Sequence, residues 1–309
     1  MKNLFIKKQN SLINYSPYRF IKGLNKEFLV NKTVIEPTLD DFKNEDVKVV
    51  EINENQSEHF FIIKKLHWDS EYFGFEHYKI VNVLFDHHNI NILVKAINSF
   101  KNDYCNISKA YYFIDIPSEE TLLQQAFTGN GFRLIESRLN YYYDQVKDYK
   151  GRERFNTRLA NKNDAEYLKE VAMKMKNNFD RVHADAQIDS IIADKYIGQF
   201  AFNSVMGFAD FVLVPNTDEK PPFGFLAFNK PTKVGGFRVS KLVLAAIDNS
   251  EEKGWLNKLL SEAIYLLQDY NVDYLTTITQ SSNAPAFKTW EKFGFKLSNV
   301  TNILAFKND

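Results

Sequence analysis

The side chains best suited to moving protons lie close together in residues 178–185, which read Asn-Phe-Asp-Arg-Val-His-Ala-Asp. His183 is the candidate general base whose ordinary pKa lies nearest neutral pH. Asp180 and Asp185 are the other two candidates for that role. Each of the three can instead be a solvated surface residue or, for Asp185, a helix cap. Arg181 can pair with an anionic substrate or with a neighbouring carboxylate.

A second candidate site lies where a strand gives way to a helix. Residues 241–247 (KLVLAAI) form a continuous apolar run of strand length, and Gly254 opens a segment with apolar residues at helical spacing. The first N–H groups of a helix have no partner within the helix, and they lie at the positive end of its dipole. A glycine turn that leads into a helix is therefore suited to binding an anion.

The chain beyond this helix continues the alternation of strands and helices. Residues 274–279 predict a second buried strand, and residues 283–293 predict a short helix closed by Gly294. Residues 297–306 alternate as a last strand does. The order predicts an α/β (α+β) fold with a mixed sheet flanked by helices.

This order and two motifs resemble the Gcn5-related N-acetyltransferases, the GNAT family. The first motif is the turn at Gly254 followed by an amphipathic helix, and the second is Asn283-x-x-Ala286-x-x-x-Trp290-x-x-x-Gly294-Phe295. The resemblance implies a twisted mixed sheet, acetyl-CoA as co-substrate without a metal, and acyl transfer to an amine. It implies that the cofactor is bound by Leu244, Ala245, Ala246, Ile247, Lys253, Gly254, Trp255, Leu256, Asn283, Ala286 and Trp290.

The sequence departs from the family pattern at two places that matter for catalysis. Glu251 and Glu252 stand where the family's glycines meet the phosphates. Trp290 stands where the family has a tyrosine, and an indole N–H donates a hydrogen bond but does not serve as an acid. These departures keep open an alternative function, a GNAT fold that has lost activity and acts as a binding or scaffold protein.

A segment near the N-terminus, residues 67–75 (HWDSEYFGF), resembles a box found in TDP-fucosamine acetyltransferase and its relatives, which acylate nucleotide-linked amino sugars. Residues 178–204 resemble a second box of the same enzymes. This likeness implies that a sugar-nucleotide amine is the acceptor and that Tyr72, Phe73, Arg181 and His183 bind it. The alternative interpretation of residues 67–75 is a turn before a strand, with Asp69 as a cap and the aromatic residues in the core.

The sequence also carries signs of an internal repeat. Gly131-Phe132 corresponds to Gly294-Phe295, and at the same spacing Phe127 corresponds to Trp290. In the first copy residues 86–89 replace the glycine turn, which makes it a poor cofactor site. We therefore predict an N-terminal extension in residues 1–58, a degenerate GNAT-like domain in 59–150, and an acyl-CoA-binding domain in 151–309. Residues 145–153 are predicted as the linker.

Composition limits the remaining classes of function. The 309 residues contain 39 basic and 39 acidic side chains, which argues against a nucleic-acid binder with a basic face. The same balance weighs against a third interpretation, aminoacyl-tRNA-dependent transfer in cell-wall assembly. No apolar run reaches the roughly 18 residues of a membrane span, and the N-terminus lacks a signal-peptide core.

Two further features bear on location and assembly. A single cysteine, Cys105, excludes an internal disulfide and suits a reducing cytoplasm. The neighbouring His87 and His88 lack further ligands at metal-binding spacing, so a solvated loop is the expectation there. The weakly patterned residues 1–58 are expected to hold one or two strands, for example 47–52, and to act as a lid or as a homodimer contact.

Overall fold

The computed structural model describes residues 2–43, 45–106, 108–151, 153–216, 220–248 and 254–308. The chain divides into two compact units, one formed by Met1–Arg138 with Asn299–Asp309 and the other by Leu139–Ser298. The division falls inside two strands, β5 (Arg133–Tyr143) and β12 (Lys296–Asn308). The domain boundaries given above, 1–58, 59–150 and 151–309, concern units of similar sequence and stay a prediction.

The first unit is a mixed sheet with helices. Its remaining strands are β1 (Val47–Glu54), β2 (Ser57–Lys65), β3 (Glu76–Leu84) and β4 (Ala110–Pro117). The strand order is β1-β2-β3-β4-β12, in which β3 and β4 are parallel and the other pairs are antiparallel. The helices are α1 (Lys2–Lys7), α2 (Gln9–Leu12), α3 (Lys26–Val30), α4 (Glu36–Asp41), α5 (His67–Phe73), α6 (Ile90–Phe100) and α7 (Thr121–Gly129).

The N-terminal residues are more helical than expected. Strand β1 confirms the strand predicted at residues 47–52, but the residues before it form α1 to α4 and short turns between them. Asn25 caps α3 by accepting a hydrogen bond from the backbone N–H of Phe28 at 2.8 Å. The N-terminal helices bury apolar side chains against the sheet, where they pack with Phe60, Ile62 and Leu84; these side chains are Leu4, Phe5, Leu12, Val30 and Val34.

The segment at residues 67–75 is a helix, so the interpretation as a turn before a strand was wrong. It forms α5, which ends at Gly74 with a φ of +73°. Asp69 lies in the first turn of this helix, and Leu66 occupies the N-cap position. The aromatic side chains of the segment are partly exposed and stack with one another and with His77, the centroid of the Phe73 ring lying 4.6 Å from that of His77.

The second unit also combines a mixed sheet with helices. Its other strands are β6 (Thr157–Leu159), β7 (Phe211–Pro215), β8 (Gly224–Phe228), β9 (Thr232–Val234), β10 (Phe237–Ile247) and β11 (Tyr274–Gln280). The order β11-β10-β8-β7-β6 contains one parallel pair, β10 with β11, and β9 forms a hairpin with β10. The helices are α8 (Ala165–Lys174), α9 (Ser190–Asn203), α10 (Trp255–Asp269) and α11 (Ala284–Phe293).

The two copies of the predicted repeat end their helices in the same way. Helix α7 closes with a hydrogen bond from Phe132 N to Phe127 O at 3.1 Å, and α11 closes with one from Phe295 N to Trp290 O at 2.9 Å. In both, the glycine before the phenylalanine has a positive φ, which a left-handed helix end requires. The same local geometry at matching positions agrees with two related units.

The predicted linker, residues 145–153, packs along α10. Gln268 on that helix donates hydrogen bonds to the carbonyl groups of Val146 and Tyr149, both at 2.9 Å. The hydroxyl of Tyr149 lies 2.8 Å from that of Ser261. Because its backbone is held by one helix, this polar segment is part of the second unit rather than a free connection.

Two findings concern membrane contact and redox chemistry. Within the residues described, the helices are too short or too polar to cross a membrane. Cys105 is fully buried, and burial raises the pKa of its thiol above the ordinary range, so the thiolate is disfavoured.

A buried histidine pair in the first unit is arranged for two neutral rings. His59 Nδ1 lies 3.3 Å from the carbonyl oxygen of Ile52, and its Nε2 lies 2.7 Å from Nε2 of His87. His87 Nδ1 accepts from the backbone N–H of Asn89 at 3.2 Å. These partners assign one proton to each ring, so a further proton on either ring breaks a hydrogen bond. Burial, with smaller contributions from neighbouring charges, lowers the pKa of both His59 and His87.

We therefore expect the contribution of this histidine pair to stability to fall as the pH falls. The unfolded chain binds protons on both histidines below their ordinary pKa of about 6.5, whereas the folded pair resists them. The part of the free energy of unfolding that depends on His59 and His87 should fall as the pH drops below about 6.5, the ordinary pKa of histidine. Urea denaturation over this range measures the change.

The double variant His59→Gln/His87→Gln should flatten this pH dependence. The variant His88→Gln, at an exposed neighbouring histidine, serves as the matched control and should keep it. An equal slope in the double variant and in the control would show that the pair does not couple stability to pH.

Candidate functional site

The parallel strands β10 and β11 part at one end. Their pairing joins residues 239–241 to residues 274–276, and it ends at Lys241 and Thr276. Strand β10 continues to Ile247 and β11 to Gln280 beyond the last pair. The facing edges of the two strands thus leave an opening at their carboxyl ends, where ligands commonly bind in α/β sheets.

The residues predicted to line the cofactor site on β10 lie along this opening. Leu244, Ala245, Ala246 and Ile247 pair on their other side with β8, where Ala245 lies opposite Leu226. The register shifts between Leu242 and Leu244, which is a β-bulge. The backbone of β10 on the side of β11 is therefore left for another partner, such as an extended molecule containing amide groups.

Helix α10 begins beside the same end of β10. Gly254 at its N-cap has a φ of +87°, and a Cβ built there would meet no atom within 4 Å. Glycine has no side chain to cap the helix, and the start of a helix is a place where backbone amides can bind an anion. Trp255 and Leu256 follow and pack partly against the core. Lys253, Glu251 and Glu252 lie outside the described residues.

Lys258 is a candidate that the sequence analysis missed. It lies in the first turn and a half of α10, near the positive end of the helix dipole, where a cation is disfavoured. Its ammonium lies 4.7 Å from the centroid of the Trp255 ring. No acidic side chain occupies the first turn of the helix. The spacing of Lys258 from Gly254 was the available signal in the sequence.

Helix α11 follows β11 and carries the second predicted motif. The side chain of Asn283 caps the helix by accepting from Ala286 N at 3.3 Å. Trp290, two turns further along, is 5% exposed and packs in the core beside Phe295. Its indole nitrogen is buried and has no hydrogen-bond partner. Phe127 occupies the matching place in the first unit and is also buried.

The segment with the candidate base is tied to the carboxyl ends of both strands. Asn177 donates to the side-chain oxygen of Gln280 at 2.6 Å, at the end of β11. Lys174, at the end of α8, forms an ion pair with Asp248, directly after β10. These two contacts bring the segment 177–185 next to the opening between β10 and β11.

His183 is held between two carboxylates. Its Nδ1 lies 2.8 Å from Oδ2 of Asp180, and its Nε2 lies 3.2 Å from Oδ1 of Asp194 on α9. Burial opposes charge on the imidazole, but the hydrogen bonds and negative charges of Asp180 and Asp194 outweigh it and raise the pKa of His183. With both nitrogens engaged as donors, the ring must release one carboxylate before it can accept a proton from a substrate.

The other candidates in this segment are mostly engaged in local structure. Asp180 accepts backbone hydrogen bonds from Val182 and His183 at 2.9 and 3.0 Å. Asp185 is buried and accepts from the backbone N–H of Gln187 at 2.9 Å. Arg181 is also buried. The catalytic and substrate-binding roles of these residues stay predictions.

The first unit differs at the position that corresponds to Gly254. The side chain of Asn89 caps α6 and accepts from the backbone N–H groups of Asn91 and Ile92, at 3.0 and 3.4 Å. The amides that would meet a phosphate are therefore already bound, in accord with a degenerate copy. Tyr72 and Phe73 lie in this unit on α5, and their predicted role in substrate binding stays a prediction. Among the residues described, no group of three or more potential metal ligands is present.

Comparison with solved structures identifies the fold. A GCN5-related N-acetyltransferase from Sphaerobacter thermophilus aligns with a TM-score of 0.57 and 9% identity over 98% of this chain and 91% of that chain. A conserved protein of unknown function from Staphylococcus epidermidis gives 0.55 and 15% over 87% and 98% of the two chains. A GCN5-related N-acetyltransferase from Kribbella flavida gives 0.50 and 9% over 87% and 94%.

At these identities the likeness concerns the fold alone, and it confirms the predicted GNAT fold with a mixed sheet flanked by helices. No protein-family model and no curated protein matches this sequence.

The geometry around His183 makes its titration a direct test. We expect NMR titration to give a pKa for His183 above the ordinary value of about 6.5. A raised folded-state pKa stabilises the protein below about pH 6.5, and this stabilisation is lost as the pH rises through the folded value. Asp194→Asn should lower the pKa of His183 because it removes one negative partner.

Asp189→Asn is the matched control for this measurement. Asp189 caps the same helix by accepting from Ile191 N and Ile192 N, so its replacement should leave the pKa of His183 in place. A pKa that does not respond to Asp194→Asn would show that this carboxylate does not hold the imidazole in solution.

Proposed function

We propose that the protein is an N-acyltransferase that moves an acetyl group from acetyl-CoA to a primary amine. The observation that carries this proposal is the parting of β10 and β11 beside the uncapped start of α10. An extended pantetheine arm contains amide groups that can bond to the open strand edge, and the pyrophosphate suits the first amides of α10 with Lys258 beside them. The GNAT fold supports the same function by analogy.

The acceptor in this proposal is the amino group of a nucleotide-linked sugar. The support is the resemblance of residues 67–75 and 178–204 to segments of sugar-nucleotide acyltransferases, together with the position of the segment 177–185 beside the opening. Arg181 is proposed to face the anionic part of this acceptor. The protein would then act on a soluble small molecule in the cytoplasm.

The reaction requires a neutral amine close to the thioester carbonyl. A carboxylate or an imidazole in the segment 177–185 would accept the amine proton directly or through a water molecule. Donors near the carbonyl oxygen would stabilise the charge that develops there. Asp180 and Asp185 carry this role in our proposal if His183 remains bound to both its carboxylates, and His183 carries it if the contact with Asp194 opens.

The rival is an inactive GNAT-fold protein that binds a partner. It is motivated by Trp290 in place of the family's tyrosine, since an indole does not supply a proton to the leaving thiolate. A thiolate is a stable leaving group near neutral pH, so an acid at this position contributes less than the orientation of the amine does. The enzyme is therefore the function we propose.

Calorimetric titration of the full chain with acetyl-CoA tests the cofactor site. We expect binding by the wild-type protein and its loss in Gly254→Val, because a β-branched residue resists the positive φ and fills the space left for the phosphates. Lys258→Met should weaken binding about tenfold through loss of one charge-assisted contact.

Gly236→Val is the matched control for the turn. Gly236 also has a positive φ, of +93°, and open space around it, but it lies in the hairpin at the other end of β10. It should bear the same backbone strain and keep acetyl-CoA binding. Equal affinity in Gly254→Val and wild type, with both folded, would exclude the turn as a phosphate site.

Variants of Trp290 distinguish the proposed enzyme from the alternative, an inactive scaffold protein. Trp290→Ala should lower stability by about 3–5 kcal/mol, because the ring is buried in the core. Trp290→Tyr should preserve or raise turnover, measured as thiol release with a panel of nucleotide-linked amino sugars, because a phenol can also give a proton.

Phe127→Tyr places the same phenol at the matching position of the first unit and should leave turnover unchanged. Absence of thiol release from every variant and every acceptor, in protein that melts cooperatively, would favour the inactive scaffold.

A further inference from the structure

The first unit contains a second opening between parallel strands. The pairing of β3 with β4 joins residues 76–80 to residues 110–114, and it ends at Ile80 and Ile114. Both strands continue, β3 paired with β2 as far as Leu84 and β4 paired with β12 as far as Pro117. Because each strand remains held by its outer neighbour, the inner edges separate beyond the last pair, as β10 and β11 do in the second unit.

Within the described part of the chain, four buried polar atoms around this opening have no hydrogen-bond partner. They are Asn82 Oδ1, Asp115 Oδ1, Thr301 Oγ1 and the hydroxyl oxygen of Tyr15. Asn82 is 2% exposed and lies on β3 beyond the last pair, and Asp115 is the first residue of β4 beyond it.

The other two atoms belong to the same end of the sheet. Thr301 is 9% exposed and pairs with Pro117 at the end of β4, and the turn that carries Tyr15 packs on β4. Burying a polar atom without a partner is energetically unfavourable, so four such atoms in one region point to a bound molecule.

Carboxylates and basic side chains meet in this region. The ammonium of Lys8 donates to the carbonyl oxygen of Val83 at 2.8 Å and lies 3.9 Å from Glu120. Burial lowers the pKa of Lys8 to about 8. Arg138 contacts both Asp115, at 3.3 Å, and Glu136, at 2.5 Å. Among the described residues, Lys8 and Arg138 contact these carboxylates, and Asp115 Oδ1 is buried without a hydrogen-bond donor.

The region does not suit an acyl-CoA. Asn89 already binds the first amides of α6, and no glycine opens that helix. Lys8 also donates a hydrogen bond to the carbonyl oxygen of Val83 on the edge of the strand. An extended chain of amide groups would need that carbonyl oxygen as an acceptor. The side chain of Asp115 is 25% exposed, so a small molecule can reach the group from solvent.

We propose that the opening between β3 and β4 binds a small ligand with one ammonium group and several hydroxyl groups. The ammonium lies against Asp115 and Glu120. The hydroxyl groups bond to Asn82 Oδ1, Thr301 Oγ1 and the hydroxyl of Tyr15, which satisfies the four unpartnered atoms. The N-terminal helices, through Lys8 and Tyr15, form one wall of this site. The site is separate from the acetyl-CoA site of the second unit and does not rest on the proposed transferase activity.

The test uses D-glucosamine as the probe, titrated into the full chain near neutral pH and followed by calorimetry and ligand-observed NMR. D-glucose and N-acetyl-D-glucosamine, which lack the charge, are the matched probes. We expect glucosamine to bind at least tenfold more tightly than either. Asp115→Asn keeps the shape of the side chain but removes its charge, and it should weaken binding tenfold or more. Asn82→Leu removes one acceptor at similar volume and should also weaken binding.

Two control variants locate the site. Glu58→Gln removes an exposed carboxylate of the first unit and should leave binding unchanged. Gly254→Val should also leave glucosamine binding unchanged, whether or not that variant binds acetyl-CoA. This control distinguishes a failure of the ligand site in the first unit from a failure of the proposed transferase.

Four outcomes would overturn the proposal. One is the absence of glucosamine binding. Another is equal binding of the three probes. The third is binding that is lost in Asp180→Asn and kept in Asp115→Asn, which would assign the amine to the second unit. If Asn82→Leu raises the melting temperature and leaves probe binding unchanged, the unpartnered atoms hold only water, and the proposal also fails.

Discussion

The parting of two parallel strands is the constraint on which the candidate site depends. Strands β10 and β11 pair over only three residues, while β8 continues to hold β10 as far as Ile247. Backbone N–H and C=O groups in a protein require partners, so the edge left by this parting must be met by water or by a ligand. The bulge between Leu242 and Leu244 bends β10 close to the point where its pairing with β11 ends. The helix that follows starts at a glycine, so its amides face the same end of the strand.

The same backbone device occurs in both units, but the side chains give it different chemistry. In the second unit Gly254 leaves the helix start open, whereas in the first unit Asn89 closes it with its own side chain. In the first unit, Lys8 from the N-terminal helical region donates a hydrogen bond to the carbonyl oxygen of Val83 on the edge of β3. The first unit thus keeps an opening between parallel strands and surrounds it with carboxylate and hydroxyl groups.

The sequence predicted the parts of the fold that rest on local signals. Apolar periodicity gave the helices and strands around Gly254, and the glycine–phenylalanine pairs at Gly131 and Gly294 gave the repeat. The helices before residue 47 were missed because they are short and are stabilised by burial against the sheet rather than by their own pattern. The contacts of the predicted linker could not be predicted, because composition does not show that Gln268 donates hydrogen bonds to the carbonyl groups of Val146 and Tyr149.

The candidate site was predictable in its residues but not in its electrostatics. Asp180 is close to His183 in sequence, but Asp194 lies on another helix and reverses the expectation that the imidazole is free to act as a base. Phe127 and Trp290 are both buried, so the main role of this position is to pack the core. A proton or hydrogen-bond donor at this position is less important than the packing. Because a thiolate leaves readily and an ammonium does not attack, the demanding step in amine acylation is removal of the amine proton. In the function that we propose, the amine proton is accepted in the segment 177–185, where Asp180 and Asp185 accept hydrogen bonds from backbone N–H groups.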